Sequence, residues 1–432
     1  MTGRRFTGRR GRATSAPRVG LFGLLGSGNI GNDASIESVL RYLNSDHSDL
    51  IPDAMCKGPD GLRDRFGVAA IPLNWYQKYE KQASGVTAIA LKTLGKGVDV
   101  FRTASWVRRH DVVIVPGTGI LEASLPQRPW GMPYSMFLLC ASGRLFGTKV
   151  ALVSVGAGVI NQRLTRWLLI SAARLAFYRS YRDIGSLDAM RQQGVDTTRD
   201  RVYIDLAFGI PALPYDPGDP QTVGVGVMDY HGANNDRGEA DELYASYVEK
   251  VQSFILWLVD SGHRVRLLVG DTNNSDEGVV QEIQAGLRAH RPDLDPTAVI
   301  AEPVSSFAEL MREIALASTV VATRFHNVIC ALRLSKPTIS LGYAPKFTAL
   351  MADMGLSEFC QPASSLDIGR LAEQFTELEK RQAELRQTIT DRNKAYAQLL
   401  DDQFTELSAV LFPAVGPGRA AAAREPARGG VR

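Results

Sequence analysis

STVVATRFHNVICALRLSKPTISLGYAPKFTALM, residues 318–351, is the stretch whose reading decides the fold. It opens with an apolar run ending at Thr323, the pattern of a strand buried on both faces. Arg324 and His326 lead into a segment of helical period, Asn327–Leu334, which stops at Ser335, Lys336 and Pro337. A second apolar run, Thr338–Leu341, ends in Gly342 and Tyr343, with Lys346 just behind. Strand, helix and strand at this spacing make a parallel βαβ unit.

The same alternation extends in both directions. Upstream, strands are expected at Val223–Met228, Arg264–Val269 and Val299–Ala301, with helices at Glu239–Val259, Glu277–His290 and Phe307–Ala315. Before them lies PALPYDPGDP, residues 211–220, whose four prolines can continue neither a helix nor a central strand, so a domain boundary is placed there. The first half carries strand patterns at Val19–Leu25, Val112–Val115, Val150–Val155 and Val202–Asp205, and helical stretches at Ala34–Tyr42, Tyr134–Phe146 and Thr165–Phe177. The expectation is an α/β protein of two Rossmann-like doubly wound domains facing a central cleft, followed by C-terminal helices. The units are a basic tail over 1–17, a first domain over 18–210, the linker, a second domain over 221–345, helices over 346–412 and a tail over 413–432. The charged helical stretch Leu366–Leu411 is expected to pack back across the domains or to mediate an oligomer contact.

The 432 residues suit two such domains, and 45% apolar with 22% charged residues is a globular composition. The net charge of +3 belongs to the ends: residues 1–17 hold five arginines, and the last sixteen hold four against one glutamate. The body between them is therefore acidic, which argues against a nucleic-acid footprint. Rich in Gly, Ala, Pro and Arg, both tails are expected to be disordered, and they leave open a peripheral attraction to anionic lipid. An export signal does not fit, because the apolar run after the first tail is short and Gly-rich. Cys56, Cys140, Cys330 and Cys360 have no paired spacing and read as reduced thiols of a cytoplasmic protein. No Cys or His cluster has metal-ligand spacing, so no metal is expected.

Ligands of doubly wound sheets bind at the carboxyl ends of the strands, and the unusual motifs fall there. After the first strand, GSGNIGNDASIESVL (26–40) contains a G-x-G-x-x-G at Gly26, Gly28 and Gly31. A dinucleotide fingerprint would also need a second strand ending in an acid about twenty residues on, and DLIPDAMCKGPD does not supply one. Asn29, Asn32 and Asp33 crowd the helix entry instead, where Asp33 either caps the helix or holds a hydroxyl ligand. GTGILE (117–122) brings Thr118 and Glu122 as candidate acceptor contacts, and GAGVI (156–160) lines the same end. Arg179 and Arg182 lie in FYRSYRDIGSLDAM, with Asp183 and Ser186 at the next helix start. Arg182 reads either as an anion ligand or as a structural ion pair with Asp183 or Asp205, and Arg179 as structural. Arg324, His326 and Lys346, with Tyr343, form the strongest constellation: cations and a titratable imidazole beside a helix N-terminus, suited to an anion.

In order along the chain, GNIGNDA, GTG, VGAG, YRSYRD with its following serine, and TRFH with KPTISLGYAPK resemble the polysaccharide pyruvyltransferase family over roughly residues 18–355. The resemblance implies a GT-B-like architecture and phosphoenolpyruvate as donor co-substrate, with no other cofactor. It implies pyruvate ketals formed on sugars of bacterial surface or exported glycans, so that the partner is a saccharide or glycolipid acceptor. The family's R-x-H element falls on Arg324 and His326, its later basic position on Lys346, and its R-D-x-x-S element on Arg182, Asp183 and Ser186. His326, Arg324 and Asp33 are then the catalytic candidates. Arg182, Arg324, Lys346, Ser186 and Tyr343 are the donor candidates, and Asn29, Asn32, Asp33, Thr118 and Glu122 the acceptor candidates. One departure is visible: many members have an Asp-Glu pair where this chain has Asn32 and Asp33. The competing readings are a GT-B glycosyltransferase using a nucleotide sugar, with the same cations on a diphosphate, and a non-catalytic glycan- or nucleotide-binding protein of the same fold.

Overall fold

The computed structural model describes residues 16–79, 84–122, 128–214, 216–232, 240–271 and 275–413. Most of both tails, expected to be disordered, therefore lies outside the described residues.

The first half alternates β1 (Val19–Gly23), α1 (Ile30–Asp46), β2 (Asp53–Cys56), α2 (Pro59–Phe66), β3 (Ala69–Pro72), α3 (Gly85–Val107), β4 (Val112–Pro116), α4 (Met132–Phe146), β5 (Lys149–Val155), α5 (Arg163–Leu175), β6 (Tyr178–Tyr181), α6 (Ile184–Gln192) and β7 (Arg201–Val202). Its strands form one sheet of order β3-β2-β1-β4-β5-β6-β7, with every pair parallel. β1 and β4 are buried along their whole length because helices cover both faces, which is why VGLFG and VVIVP carry no alternation.

The second half repeats the plan with β8 (Asp219–Gly226), α7 (Ala240–Asp260), β9 (Arg264–Leu268), α8 (Ser275–His290), β10 (Val299–Ile300), α9 (Phe307–Ala315), β11 (Ala317–Ala322), α10 (Phe325–Arg333), β12 (Thr338–Gly342), α11 (Pro345–Asp353) and β13 (Cys360–Pro362). The sheet order is β10-β9-β8-β11-β12-β13, again all parallel. Both orders reverse at a central pair, β1 with β4 and β8 with β11, and the crevice outside such a reversal is where ligands of these sheets bind.

Three details depart from the sequence reading. DLIPDAMCKGPD contains β2, paired in register with β1. β8 begins at Asp219, inside the stretch read as linker, and the second sheet continues past residue 345 to β13. These strands are three or four residues long or begin among Asp and Pro, too short for periodicity to register.

Two more helices follow, α12 (Ile368–Lys380) and α13 (Gln382–Leu411). α13 straps the halves together. Its Asn393 Nδ2 donates to Leu332 O in the second domain at 2.8 Å. In the first domain, buried Gln403 bonds Ser154 and Ser180, Phe404 stacks on Tyr42 at 4.6 Å, and Lys149 Nζ donates to the carbonyls of Val410 and Leu411. A cation on the last carbonyls of a helix also complements its dipole. All four cysteines are free thiols, and three are buried. No helix among the described residues is long and apolar enough to cross a membrane.

Candidate functional site

From the second domain, β11 delivers Arg324 as the N-cap of α10 without a side-chain cap, so the first N–H groups of that helix remain available to a ligand. The Arg324 fork lies on buried Asp276 at the start of α8, with Nε to Oδ2 at 2.8 Å and Nη2 to Oδ1 at 2.5 Å. Asp276 also accepts from the Asp229 N–H at 3.1 Å, which fixes the carboxylate and through it the guanidinium. α11 likewise starts without a side-chain cap, at Pro345, and carries Lys346 in its first turn.

His326 occupies the first turn of α10, and its ring rests on Gly31 of α1, across the gap between domains. A Cβ on Gly31 would stand 2.0 Å from the imidazole, so only glycine admits this contact. Phe325 beside it carries two cations over its ring, Arg182 at 5.1 Å and Lys346 at 5.0 Å. Burial depresses the His326 pKa. Asp205 opposes the fall, and the charges of Arg182, Lys346 and Arg324 add to it, leaving a value of about 4. In the ligand-free protein the imidazole is therefore neutral near pH 7.

In the first domain, Arg182 leaves β6 into a buried position. Its Nη1 donates to Asp205 at 3.1 Å, its Nη2 to Glu122, and its Nε lies 3.6 Å from Asp183. Glu122 in turn accepts from Lys346 Nζ at 3.3 Å, so one carboxylate holds a cation from each domain. Burial alone would raise the Glu122 pKa, but Arg182 and then Lys346 outweigh it and hold the carboxyl at about 2. Gly156 makes room for the pair, since a Cβ there would lie 2.3 Å from Glu122 and 2.6 Å from Arg182. The ion-pair reading of Arg182 is the arrangement observed. Ser186 is also buried in structure: its N–H is capped by Asp183 at 2.6 Å and its Oγ accepts from Ala157 N–H at 3.0 Å. Thr118 is buried at the same strand end, with no hydrogen-bond partner for its Oγ1 among the described residues. Tyr343 packs on Phe347, under Lys346.

The glycine loop after β1 works as a helix entry and an interdomain latch. Asn29, not Asp33, is the N-cap of α1, accepting from Asn32 N–H at 3.2 Å, and its Nδ2 reaches Asp271 of the second domain at 3.3 Å. Gly26 has φ +64° and lies against Gly58, where a Cβ would meet the carbonyl at 2.2 Å. Asp33 accepts from Gly26 N–H at 2.9 Å and from Arg65 at 2.6 Å, and Arg65 continues to the Ser305 carbonyl of the second domain. Burial raises the Asp33 pKa to about 6, with Arg65 and the Gly26 N–H only partly offsetting it. At roughly 100° per residue, positions 31 and 33 point to opposite sides of α1. Asp33 therefore faces away from His326, into a cavity of about 830 Å³ between α1, α2 and the start of α9.

The structure thus gathers His326, Arg324, Arg182, Lys346, Glu122 and Tyr343, and leaves Asp33 and Ser186 in other engagements. Glu122, expected to touch an acceptor, is instead the shared counter-ion of two cations. Sequence reading did not single out Asp276, Phe325 or Arg65. Phe325 lies inside the R-F-H element and was within reach; Asp276 and Arg65 sit in polar stretches with no local signal.

No match was found among curated proteins. Among solved structures the chain is similar to UDP-GlcNAc 2-epimerase from Methanocaldococcus jannaschii (TM-score 0.54, 10% identity, covering 83% of this chain and 92% of that one). It is similar to a glycosyltransferase from Rickettsia africae (TM-score 0.54, 11% identity, 93% and 100% covered) and to the lipopolysaccharide outer core galactosyltransferase WaaB (TM-score 0.52, 12% identity, 90% and 99% covered). At such identities the likeness is one of fold, the two-domain GT-B-like arrangement of parallel sheets. The family model for polysaccharide pyruvyl transferase matches residues 29–345, which include Asn29, Gly31 and Asp33 at the start of α1, Glu122 and Arg182, and the R-F-H element, and the chain belongs to that family.

Proposed function

We propose that this protein moves the pyruvyl group of phosphoenolpyruvate onto a pair of hydroxyls of a saccharide, forming a ketal and releasing phosphate. The observation that carries the reading is His326 held on Gly31, between two uncapped helix N-termini and three cations, Arg182, Arg324 and Lys346. An anionic donor there would find backbone N–H groups and positive charge without a metal ion. In the proposed sequence His326 gives a proton to the donor methylene, one hydroxyl adds to C2 and phosphate departs. The second hydroxyl then closes the ketal, and the hydroxyl protons restore the imidazolium and complete the phosphate. Arg324, oriented by Asp276, and Lys346 hold the anion. Free buried thiols fit a cytoplasmic setting.

Running the reaction in deuterated water with phosphoenolpyruvate and a saccharide acceptor tests this: phosphate should be released, and the product methyl should carry deuterium. Turnover without solvent deuterium would reject protonation of the methylene. The fold likeness to glycosyltransferases also fits a nucleotide-sugar donor, and calorimetric titration with phosphoenolpyruvate and then with nucleotide sugars separates the two.

A further inference from the structure

Away from the cleft, α3, α4 and α5 form one layer over the first sheet, and its outer surface combines two features. It exposes large apolar side chains, among them Phe101 at 78%, Leu145 at 75%, Leu94 and Trp167. It is also strongly basic. Residues 84–177 hold eleven Lys and Arg against three acids, in a chain whose total is only +3. None of the three acids serves the outer surface. Asp99 is buried with Lys96 and Arg102, Glu122 belongs to the cleft, and Asp111 accepts the Arg18 N–H. Lys92, Arg108, Arg144, Arg163 and Arg166 are exposed on this layer.

Self-association through this face would set its exposed cations against one another. Aromatic and aliphatic side chains interleaved with cations that have no acidic partner among the described residues instead match an anionic bilayer surface, where rings enter the headgroup region and long basic chains reach phosphates. We infer that the α3-α4-α5 face docks the protein on anionic lipid. α4 and α5 begin at the carboxyl ends of β4 and β5, the edge that bears the cleft loops, and exposed Trp130, Leu164 and Trp167 lie at that end. Docking this face therefore brings the cleft mouth beside the bilayer. On the function proposed above, the acceptor is a saccharide carried on a lipid.

The test is co-sedimentation of the full chain with vesicles of phosphatidylcholine alone or with about a third phosphatidylglycerol. Wild type should bind the anionic vesicles. The triple variant Arg144→Gln, Arg163→Gln, Arg166→Gln should bind about a hundredfold more weakly, at roughly fivefold per lost charge. Phe101→Ser with Leu145→Ser should weaken binding at every salt concentration. A chain with Arg4, Arg5, Arg9, Arg10 and Arg12 changed to Gln should still bind, because the folded face rather than the tail is the anchor. The inference is overturned by a wild type that stays in the supernatant, by face variants that bind like wild type, or by a tail variant that loses binding. A dimer that the face variants convert to monomers would overturn it too. Vesicle binding is read without turnover, so failure of the pyruvyl-transfer reading would leave this result standing, and the reverse.

Discussion

If His326 is the acid, donor binding must charge it, and the proton this takes up can be counted. The free imidazole has a pKa of about 4. Raising it to about 7.5 corresponds to about 5 kcal/mol of interaction favouring the charged form. One negative charge about 4 Å away is worth about 4 kcal/mol at an effective dielectric constant near 20. Phosphoenolpyruvate brings about three charges once its phosphate is fully ionised, so two of them near the ring suffice. Binding at about pH 7.5 should then take up between about half a proton and one. Affinity should fall with rising pH, by up to about tenfold per unit below the new pKa. Working above about pH 7 keeps the phosphate's own ionisation, near 6, out of the count. Titration calorimetry in two buffers of different ionisation enthalpy gives the number, and His326→Asn should reduce it to near zero. An uptake near zero in wild type, or the same uptake in His326→Asn, would refute the assignment. A histidine that stays neutral is suited to accepting the hydroxyl proton instead.

Four further outcomes are expected. Gly31→Ala places a methyl 2.0 Å from the His326 ring, so turnover should fall by about 10²–10⁴, and adding it to His326→Asn should cost little more, read from single and double variants. Glu122→Gln should destabilise by about 3 kcal/mol near neutral pH. The Glu122 carboxyl lies at about 2, below its ordinary 4.5, so that stability is present above 4.5 and lost as pH falls toward 2; denaturant melts across pH check it. Asp33 runs the other way: its folded pKa of about 6 exceeds 3.8, so ionisation weakens the fold progressively as pH rises between them. Asp33→Asn should therefore melt higher than wild type at about pH 7.5 and equally near pH 4, the gain reaching about 3 kcal/mol, because the pKa of about 6 already includes the opposing charge of Arg65. Turnover should persist in EDTA, because protein cations neutralise the donor, and a loss restored by magnesium would count against the site.

The positions of the cations were legible in the sequence and their partners were not. VVIVP, ALVSV and STVVA are buried on both faces, so each strand end, and the glycine, arginine or histidine after it, could be placed from the pattern alone. What neutralises those cations is decided by packing. Arg324 meets Asp276 across 48 residues, Glu122 meets Arg182 across 60 and Lys346 across 224, and no local spacing encodes such pairs. The glycine fingerprint shows the same limit. Gly26 and Gly31 are both required, one by the Gly58 backbone and the other by a histidine of the other domain. Sequence reading recognised the crowding of polar groups at the helix entry but gave the possible cap to Asp33, where the extended backbone of Asn29 supplies it.

The pairing pattern constrains how a donor would enter. Arg182 is surrounded by Glu122, Asp183 and Asp205 and is buried, so it sets the field and the position of Glu122 rather than gripping a ligand directly. Arg324 keeps its fork on Asp276, with Nη1 outside that pair. Lys346 is the cation a ligand can win, because its bond to Glu122 is 3.3 Å long and joins the two domains. A donor phosphate that draws Lys346 away breaks one of the links across the cleft. Asn29 to Asp271, Arg65 to Ser305 and α13 still hold the domains. Glu122, released from Lys346 but still on Arg182, would then face the incoming hydroxyl as a carboxylate, which returns to it the acceptor role expected from sequence, in the donor-bound state rather than the free one. Lys346→Met separates these roles. Donor affinity should fall by about tenfold or more, as for a lost charge-assisted contact, while stability changes less than in Glu122→Gln, because Arg182 continues to neutralise the carboxylate. Unchanged donor affinity in Lys346→Met would mean that the lysine only staples the domains.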